Sequence, residues 1–69
     1  MEVNDRVKQK HTKAIRTGII IGIWEKDEYI KDKNKNQILF ACKGEYKVKF
    51  DNETGQGYVT FSEQELIKL

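Results

Sequence analysis

The 69-residue sequence predicts an all-β fold, a small barrel of five strands. Apolar residues recur at every second position in several short segments, and these segments are rich in Ile, Val, Tyr and Phe, which favour strands. No stretch of about ten residues or more has the 3.6-residue apolar period of an amphipathic helix. Because a chain of this length has room for one hydrophobic core, we expect a single domain over residues 1–69.

The first two strands are predicted in the N-terminal third of the chain. The pair Asn4-Asp5 precedes the first strand, and short polar side chains of this kind tolerate the left-handed backbone of a tight turn. A short strand over residues 6–10 then enters a basic loop. Residues 18–24 (Gly-Ile-Ile-Ile-Gly-Ile-Trp) have isoleucine on both faces. They predict a central strand, with a bulge or a sharp bend at Gly22.

Two further strands are predicted in the C-terminal third. Residues 46–50 (Tyr-Lys-Val-Lys-Phe) alternate apolar and basic side chains, so Lys47 and Lys49 should face away from the core. Residues 51–55 (Asp-Asn-Glu-Thr-Gly) have the composition of a turn. The turn returns the chain to an antiparallel strand over residues 58–61.

The end of the chain predicts one short helical turn before a last strand. Ser62 and Glu65 have the three-residue spacing of a capping box, in which each residue bonds the backbone of the other. Only one 3-10 turn fits before the chain continues as a short strand. We expect Leu66 and Leu69 to close the barrel.

Residues 25–44 are the least regular part of the sequence. A structureless loop of this length would be unusual inside a compact domain. The apolar pair at residues 29–30 and the apolar run at residues 38–40 flank a stretch rich in Lys and Asn. We therefore expect a hairpin-like insertion over residues 25–44, and a short helix over residues 38–42 is the alternative.

Several segments together resemble a known family of small barrels. These are residues 4–7 (Asn-Asp-Arg-Val), 18–23 (Gly-Ile-Ile-Ile-Gly-Ile), 46–51 (Tyr-Lys-Val-Lys-Phe-Asp), Val59, and 65–66 (Glu-Leu). In this order they resemble the SH3-like barrels of KOW, Tudor and related bacterial modules, with Asn4 at the place of the usual glycine. The resemblance implies an SH3-like barrel, for instance in a bacterial or phage accessory protein. It does not imply an activity, because small barrels host unrelated functions.

Type II dihydrofolate reductase is an enzyme of this kind to which the sequence has a distant similarity. Residues 18–24 are similar to its strand after the Asp-Arg-Val element. Its pore motif, Val-Gln-Ile-Tyr, would fall on residues 58–61, where this chain has Tyr-Val-Thr-Phe. Both the glutamine and the tyrosine are missing at their places. We therefore expect a protein that is not an enzyme, and a reductase-like homo-oligomer is the remote alternative.

No group of residues in the sequence predicts a metal site, a catalytic site or a cofactor. His11 is the single histidine and has no cysteine near it, so we interpret it as a solvated loop residue. Cys42 is the single cysteine, which excludes an internal disulfide and fits a reducing, cytoplasmic compartment. We expect Cys42 to be a small buried side chain. The apolar run at residues 19–24 is too short to span a bilayer, so no membrane contact is predicted.

Positive charge is concentrated near the N-terminus, which favours a nucleic-acid partner. Residues 1–16 carry five cations and two carboxylates, a net charge of +3, whereas the whole chain has +2. The candidate phosphate ligands are Lys8, Lys10, Lys13 and Arg16. Eleven of the thirteen cations in the chain are lysines, which lack the bidentate fork of arginine. Binding should therefore be weak and tolerant of sequence.

Strand alternation adds aromatic candidates to the basic ones. An inward Val59 would turn Tyr58 outward, and an inward Ile23 would turn Trp24 outward unless the bulge reverses it. An exposed aromatic ring beside a lysine would form a stacking platform for bases. The candidates for this platform are Trp24, Tyr58, Lys47 and Lys49. The competing interpretation is that Trp24 covers one end of the barrel.

The main alternative function is protein interaction. In this interpretation the insertion docks onto a partner protein or a second copy of the chain, because exposed apolar clusters on small domains mark such contacts. The candidate interface residues are Ile38, Leu39 and Phe40.

Overall fold

The computed structural model describes residues 1–53, 55 and 57–69, and these residues form strands joined by turns. The strands are β1 (Arg6–Gln9), β2 (Thr17–Ile23), β3 (Glu28–Lys31), β4 (Gln37–Ala41), β5 (Tyr46–Phe50), β6 (Val59–Phe61) and β7 (Leu66–Lys68). A 3-10 turn over Glu63–Glu65 separates β6 from β7. Thr54, which belongs to the predicted turn at residues 51–55, lies outside the described residues.

Five of the strands form one curled antiparallel sheet, a half-barrel with the strand order β6-β5-β2-β1-β7. β3 and β4 form a separate antiparallel hairpin. The predicted all-β fold, with five strands, a hairpin insertion and a 3-10 turn before the last strand, is confirmed. The alternative helix over residues 38–42 is wrong, because β4 occupies most of this segment. The described residues contain no helix long and apolar enough to cross a lipid bilayer.

β2 is the central strand, as its isoleucine-rich sequence predicts. It pairs with β1 on one side and with β5 on the other, and its register with β5 shifts between Ile20 and Gly22. This irregularity is the predicted bulge. At Gly18 the backbones of β2 and β5 approach closely, since a Cβ atom added there would lie 2.5 Å from the carbonyl oxygen of Lys49.

The core lies on the concave face of the curled sheet. Alternation along β5 buries Tyr46, Val48 and Phe50, as predicted, and leaves the lysines between them on the opposite face. The rings of Phe50 and Phe61 meet edge to face with their centroids 5.7 Å apart. The buried cluster consists of Val7, Ile20, Tyr46, Val48, Phe50, Phe61 and Leu66.

Two sequence signals near the ends of the chain, the turn at Asn4 and the capping box, agree with the structure, and one prediction about Leu69 does not. Asn4 has a φ of 77°, in the left-handed region that its turn requires. The capping box of Ser62 and Glu65 forms. The Glu65 carboxylate accepts hydrogen bonds from the N–H and the hydroxyl of Ser62, both at 3.0 Å. Leu66 is buried, but Leu69 is 60% exposed, so the prediction that Leu69 closes the barrel is wrong. Residues three apart on a strand face opposite sides, and β7 ends before Leu69.

Candidate nucleic-acid interface

The convex face of the five-stranded sheet brings together three of the predicted lysines. Because side chains alternate along a strand, the residues between core positions point to this face. Lys8 on β1 is paired with Thr17 on β2, and Lys49 on β5 is paired with Ile19 on β2. Lys47 lies between Gly22 on one side and Thr60 on the other. The cations of the convex face are Arg6, Lys8, Lys47 and Lys49.

The Asp51 carboxylate, at the margin of this face, accepts hydrogen bonds from neighbouring side chains. Asp51, which follows β5, accepts two hydrogen bonds from the Arg6 guanidinium and one from the Thr17 hydroxyl, each at 2.6 Å. These hydrogen bonds, from Arg6 first and Thr17 second, lower the pKa of Asp51 to about 2. Asp51 is therefore ionised at neutral pH, and its charge is balanced by Arg6.

The three lysines of the convex face have no carboxylate partner among the described residues, and the Lys47 ammonium lies over the Trp24 ring. None of Lys8, Lys47 and Lys49 forms a salt bridge with another residue that the structure describes. All three are half-buried at the level of the sheet, which is usual for lysines whose aliphatic stems lie along a surface while their ammonium groups reach water. The convex face is therefore a positively charged surface.

Trp24 and Tyr58 lie at one end of the convex face, around Lys47. The Lys47 ammonium is 4.2 Å from the centre of the Trp24 ring and 5.6 Å from that of Tyr58. The Trp24 indole N–H donates a hydrogen bond of 3.1 Å to the Thr60 hydroxyl. Trp24 is half-buried, whereas Tyr58 is 40% exposed. Three of the four predicted platform residues, Trp24, Tyr58 and Lys47, are thus neighbours, and Tyr58 is the more accessible ring.

Phe40 connects this aromatic cluster to the insertion. Its ring meets the Trp24 ring edge to face, with centroids 5.8 Å apart, while 49% of the residue stays exposed. Beside Trp24, a groove of about 440 Å³ runs toward the base of the hairpin. It is lined by Ile23, Trp24, Glu25, Lys26, Glu28 and Lys47. The residues predicted for base stacking and one residue predicted for protein contact are therefore adjacent.

The predicted N-terminal cluster of cations is divided by the fold. Lys8 lies on the convex face, whereas the Arg16 guanidinium covers the buried ring of Phe50 at 3.9 Å from its centre. Arg16 is held there by a cation–π contact over the core. Lys10 and Lys13 lie in the loop between β1 and β2, where Lys13 is exposed and Lys10 is half-buried.

Cys42 and His11, the single cysteine and the single histidine, lie outside the convex face. Cys42 is half-buried; burial raises the pKa of its thiol, and the nearby carboxylates of Glu45 and Asp27 raise it further. The thiol is therefore protonated at neutral pH. His11 is exposed in the β1–β2 loop, with a φ of 58°. Within residues 1–53, 55 and 57–69, no three His, Cys, Asp or Glu side chains form a group that could hold a metal ion.

Sequence reasoning missed the ion pair of Arg6 and Asp51 at the margin of the convex face. Both residues belong to segments that carry the family resemblance, residues 4–7 and 46–51. Their ion pair joins positions 45 residues apart. The available signal was the outward position of Arg6 on β1 and the place of Asp51 directly after β5, since both strands flank the central strand.

Comparison of the chain with models of protein families, with curated protein sequences and with solved structures finds no match. The small curled sheet is compatible with an SH3-like barrel. Function must therefore be argued from the residues of the convex face and the insertion.

Proposed function

We propose that this protein is a non-enzymatic, SH3-like binding module, similar to KOW-type bacterial or phage domains, whose convex face binds nucleic acid. One observation carries the proposal: three lysines without a salt bridge share a sheet face with two aromatic rings. Lysines attract the phosphate backbone, and aromatic rings stack on bases of any sequence.

The spacing of the lysines suits a strand of nucleic acid that crosses the sheet. Lys47 and Lys49 are two residues apart on β5, which corresponds to about 7 Å along the strand. Lys8 lies on β1, two strand spacings or about 10 Å across the sheet. Flexible lysine side chains at these separations can contact several phosphates of one backbone. They do not read base edges, so the proposed binding is sequence-tolerant.

Tyr58 supplies the proposed stacking contact. It is the more exposed ring of the aromatic pair, and it lies at the end of the row of lysines. An exposed ring can stack fully only on an unpaired base, so we propose a single-stranded ligand. Lys10 and Lys13 in the neighbouring loop extend the charged surface. Arg16 is excluded from the proposed site because its guanidinium covers Phe50, a core residue on the opposite face of the sheet.

Salt dependence tests the proposal directly. If three lysines displace counterions from a single strand, the logarithm of the association constant should fall with the logarithm of salt concentration at a slope of about −2. The dissociation constant should be roughly micromolar or weaker at physiological salt. Fluorescence anisotropy of a labelled mixed-sequence oligonucleotide measures both quantities. Absence of binding even at low salt, where electrostatic attraction is strongest, would refute the proposal.

A pair of double variants distinguishes binding at the convex face from a general effect of net charge. Lys8→Glu with Lys49→Glu should abolish binding, because both residues lie on the proposed surface. Lys33→Glu with Lys35→Glu is the matched control, because it changes the net charge equally at the exposed end of the insertion. The control should keep most of the affinity. Equal losses in the two double variants would mean that net charge, rather than the convex face, governs binding.

A third variant isolates stacking. Tyr58→Ala should lower the affinity for the single strand by roughly 5- to 150-fold, which corresponds to about 1–3 kcal/mol for one stacked base. The salt slope should stay unchanged, because no cation is removed. A change in slope without a change in affinity at low salt would contradict a stacking role for Tyr58.

A further inference from the structure

The β3–β4 hairpin projects from the half-barrel with almost no core of its own. Ala41 is the single buried residue among those of its two strands. Two-stranded sheets on their own are marginally stable, and clusters of exposed apolar side chains mark contact surfaces. The exposed apolar residues are Tyr29 (55%), Ile30 (50%), Ile38 (46%), Leu39 (47%) and Phe40 (49%).

The free edge of β4 lacks the charged residues and prolines that keep many edge strands apart. Natural edge strands often carry such residues, which discourage pairing with other chains. β4 (Gln37–Ala41) has no charge and no proline. β3, in contrast, begins with Glu28 and ends with Lys31. The register shift of the hairpin makes Phe40 the extra residue on β4, directly after Leu39. No backbone hydrogen bond joins β4 to a described residue outside the hairpin.

We propose that β4 pairs with β4 of a second copy of this chain, antiparallel and around a two-fold axis. A register centred on Leu39 places this residue opposite its own counterpart, and Ile38 opposite Phe40 of the second copy. The two hairpins then form one four-stranded sheet in the order β3-β4-β4-β3. No charged side chains of the two β4 strands face each other in this register.

The charges at the two ends of the hairpin favour a second copy over a different partner. The turn, residues 31–36, carries three lysines and one aspartate, a net charge of +2. The base, residues 25–28 and 42–45, carries four carboxylates and two lysines, a net charge of −2. Antiparallel pairing brings the turn of each copy beside the base of the other. The hairpin is therefore complementary to itself in charge as well as in apolar surface.

The carboxylate within the turn has a local role that leaves the lysines unopposed. Asp32 Oδ1 accepts hydrogen bonds from the backbone N–H groups of Asn34 (2.8 Å) and Asn36 (2.9 Å). The side chains of Lys33 and Lys35 are exposed. Neither forms a salt bridge with a residue that the structure describes. Both lysines are available to the acidic base of a second copy.

Sedimentation equilibrium of the full chain tests the dimer. The interface is small, so we expect a weak association: the mass should rise from 8.1 kDa toward twice that value as concentration increases from ~10 µM to ~1 mM. Over the same range, alternate backbone amides of β4 should become protected from hydrogen exchange, because they face the new strand. A mass of 8.1 kDa at all concentrations would overturn the proposal.

Two matched variants identify the edge that pairs. Leu39→Lys places two cations against each other at the two-fold axis, so this variant should be a monomer at every concentration. Tyr29→Lys is the control, because Tyr29 is the cross-strand neighbour of Leu39 and is similarly exposed, but lies on β3. It should still form the dimer. Dimers that survive Leu39→Lys, or that are lost equally in both variants, would overturn pairing through β4. Amide chemical shifts of β2 and β5 verify that each variant is folded.

Discussion

Gly18 provides the sharpest test of how the central strands pack. Its backbone faces β5, and a Cβ atom there would lie 2.5 Å from the Lys49 carbonyl oxygen and 3.0 Å from the Phe50 Cα. Both atoms belong to the backbone of the adjacent strand, so a side-chain rotation cannot relieve the contact. Reaching an ordinary contact distance of 3.4 Å requires a displacement of about 0.9 Å. Such a displacement strains the hydrogen bonds between β2 and β5.

The expected cost of Gly18→Ala follows from opposing effects. Overpacking of this kind destabilises a protein by about 1–3 kcal/mol. Replacing glycine also restricts the unfolded chain, which returns about 0.4–1 kcal/mol where the native conformation suits alanine. A net loss of about 1 kcal/mol lowers the Tm of a domain of this size by roughly 4–8 °C. Thermal and urea unfolding, followed by circular dichroism, measure this loss.

Gly22→Ala is the control on the same strand. A Cβ atom at Gly22 would lie 3.1 Å from Lys47 Cδ, which is part of a flexible side chain that can move aside. We expect a change within about 0.5 kcal/mol. If Gly18→Ala is as stable as the wild type, or if Gly22→Ala loses as much as Gly18→Ala, the close approach of β2 and β5 does not explain the glycine.

Four further substitutions probe the Arg6–Asp51 ion pair, the Cys42 thiol and the leucines at the end of the chain. Asp51 has its pKa lowered to about 2, so its contribution to stability is complete above the unfolded-state pKa of ~3.9 and disappears as the pH falls toward 2. Asp51→Asn should be less stable than the wild type at neutral pH and should lose less stability on acidification. Urea unfolding at several pH values measures both effects. Parallel pH profiles of the two proteins would contradict a stabilising Arg6–Asp51 ion pair. Because burial raises the pKa of Cys42, its reaction with a disulfide reagent at neutral pH should be slower than that of a cysteine peptide, and Cys42→Ser should remove the signal. Equal rates for the folded protein and the peptide would argue against this environment. Leu66→Ala should cost about 2–5 kcal/mol because Leu66 is 1% exposed, whereas Leu69→Ala should change stability by less than about 0.5 kcal/mol. Similar unfolding midpoints for the two leucine variants would contradict their assignment.

The elements of the fold were predictable where local chemistry determines them. Alternation in residues 46–50 gives the buried and exposed faces of β5, and the spacing of Ser62 and Glu65 gives the 3-10 turn. Gly22 among isoleucines indicates the bulge, and Asn4 indicates the left-handed turn. Each of these signals acts within a few residues of the chain.

The arrangement of the candidate site was less predictable because it depends on strand register. Grouping Arg16 with Lys8 relied on closeness in sequence. The loop between β1 and β2, however, places Arg16 over the core, whereas Lys8 lies on the convex face. The pairing of Arg6 with Asp51 needs the order of three strands before it can be inferred. Leu69 shows a related error, since an odd spacing from Leu66 places it on the opposite face.

The lack of a core in the β3–β4 hairpin separates its local stability from that of the whole domain. Regions with few buried contacts open independently, at a lower free energy than global unfolding. Backbone amides of the hairpin should therefore exchange through local opening in the isolated monomer, whereas those of β2 and β5 should require global unfolding. Substitutions at the exposed hairpin positions then leave the global unfolding free energy nearly unchanged. The insertion can vary in sequence, and acquire or lose binding partners, without a loss of stability in the half-barrel that carries it.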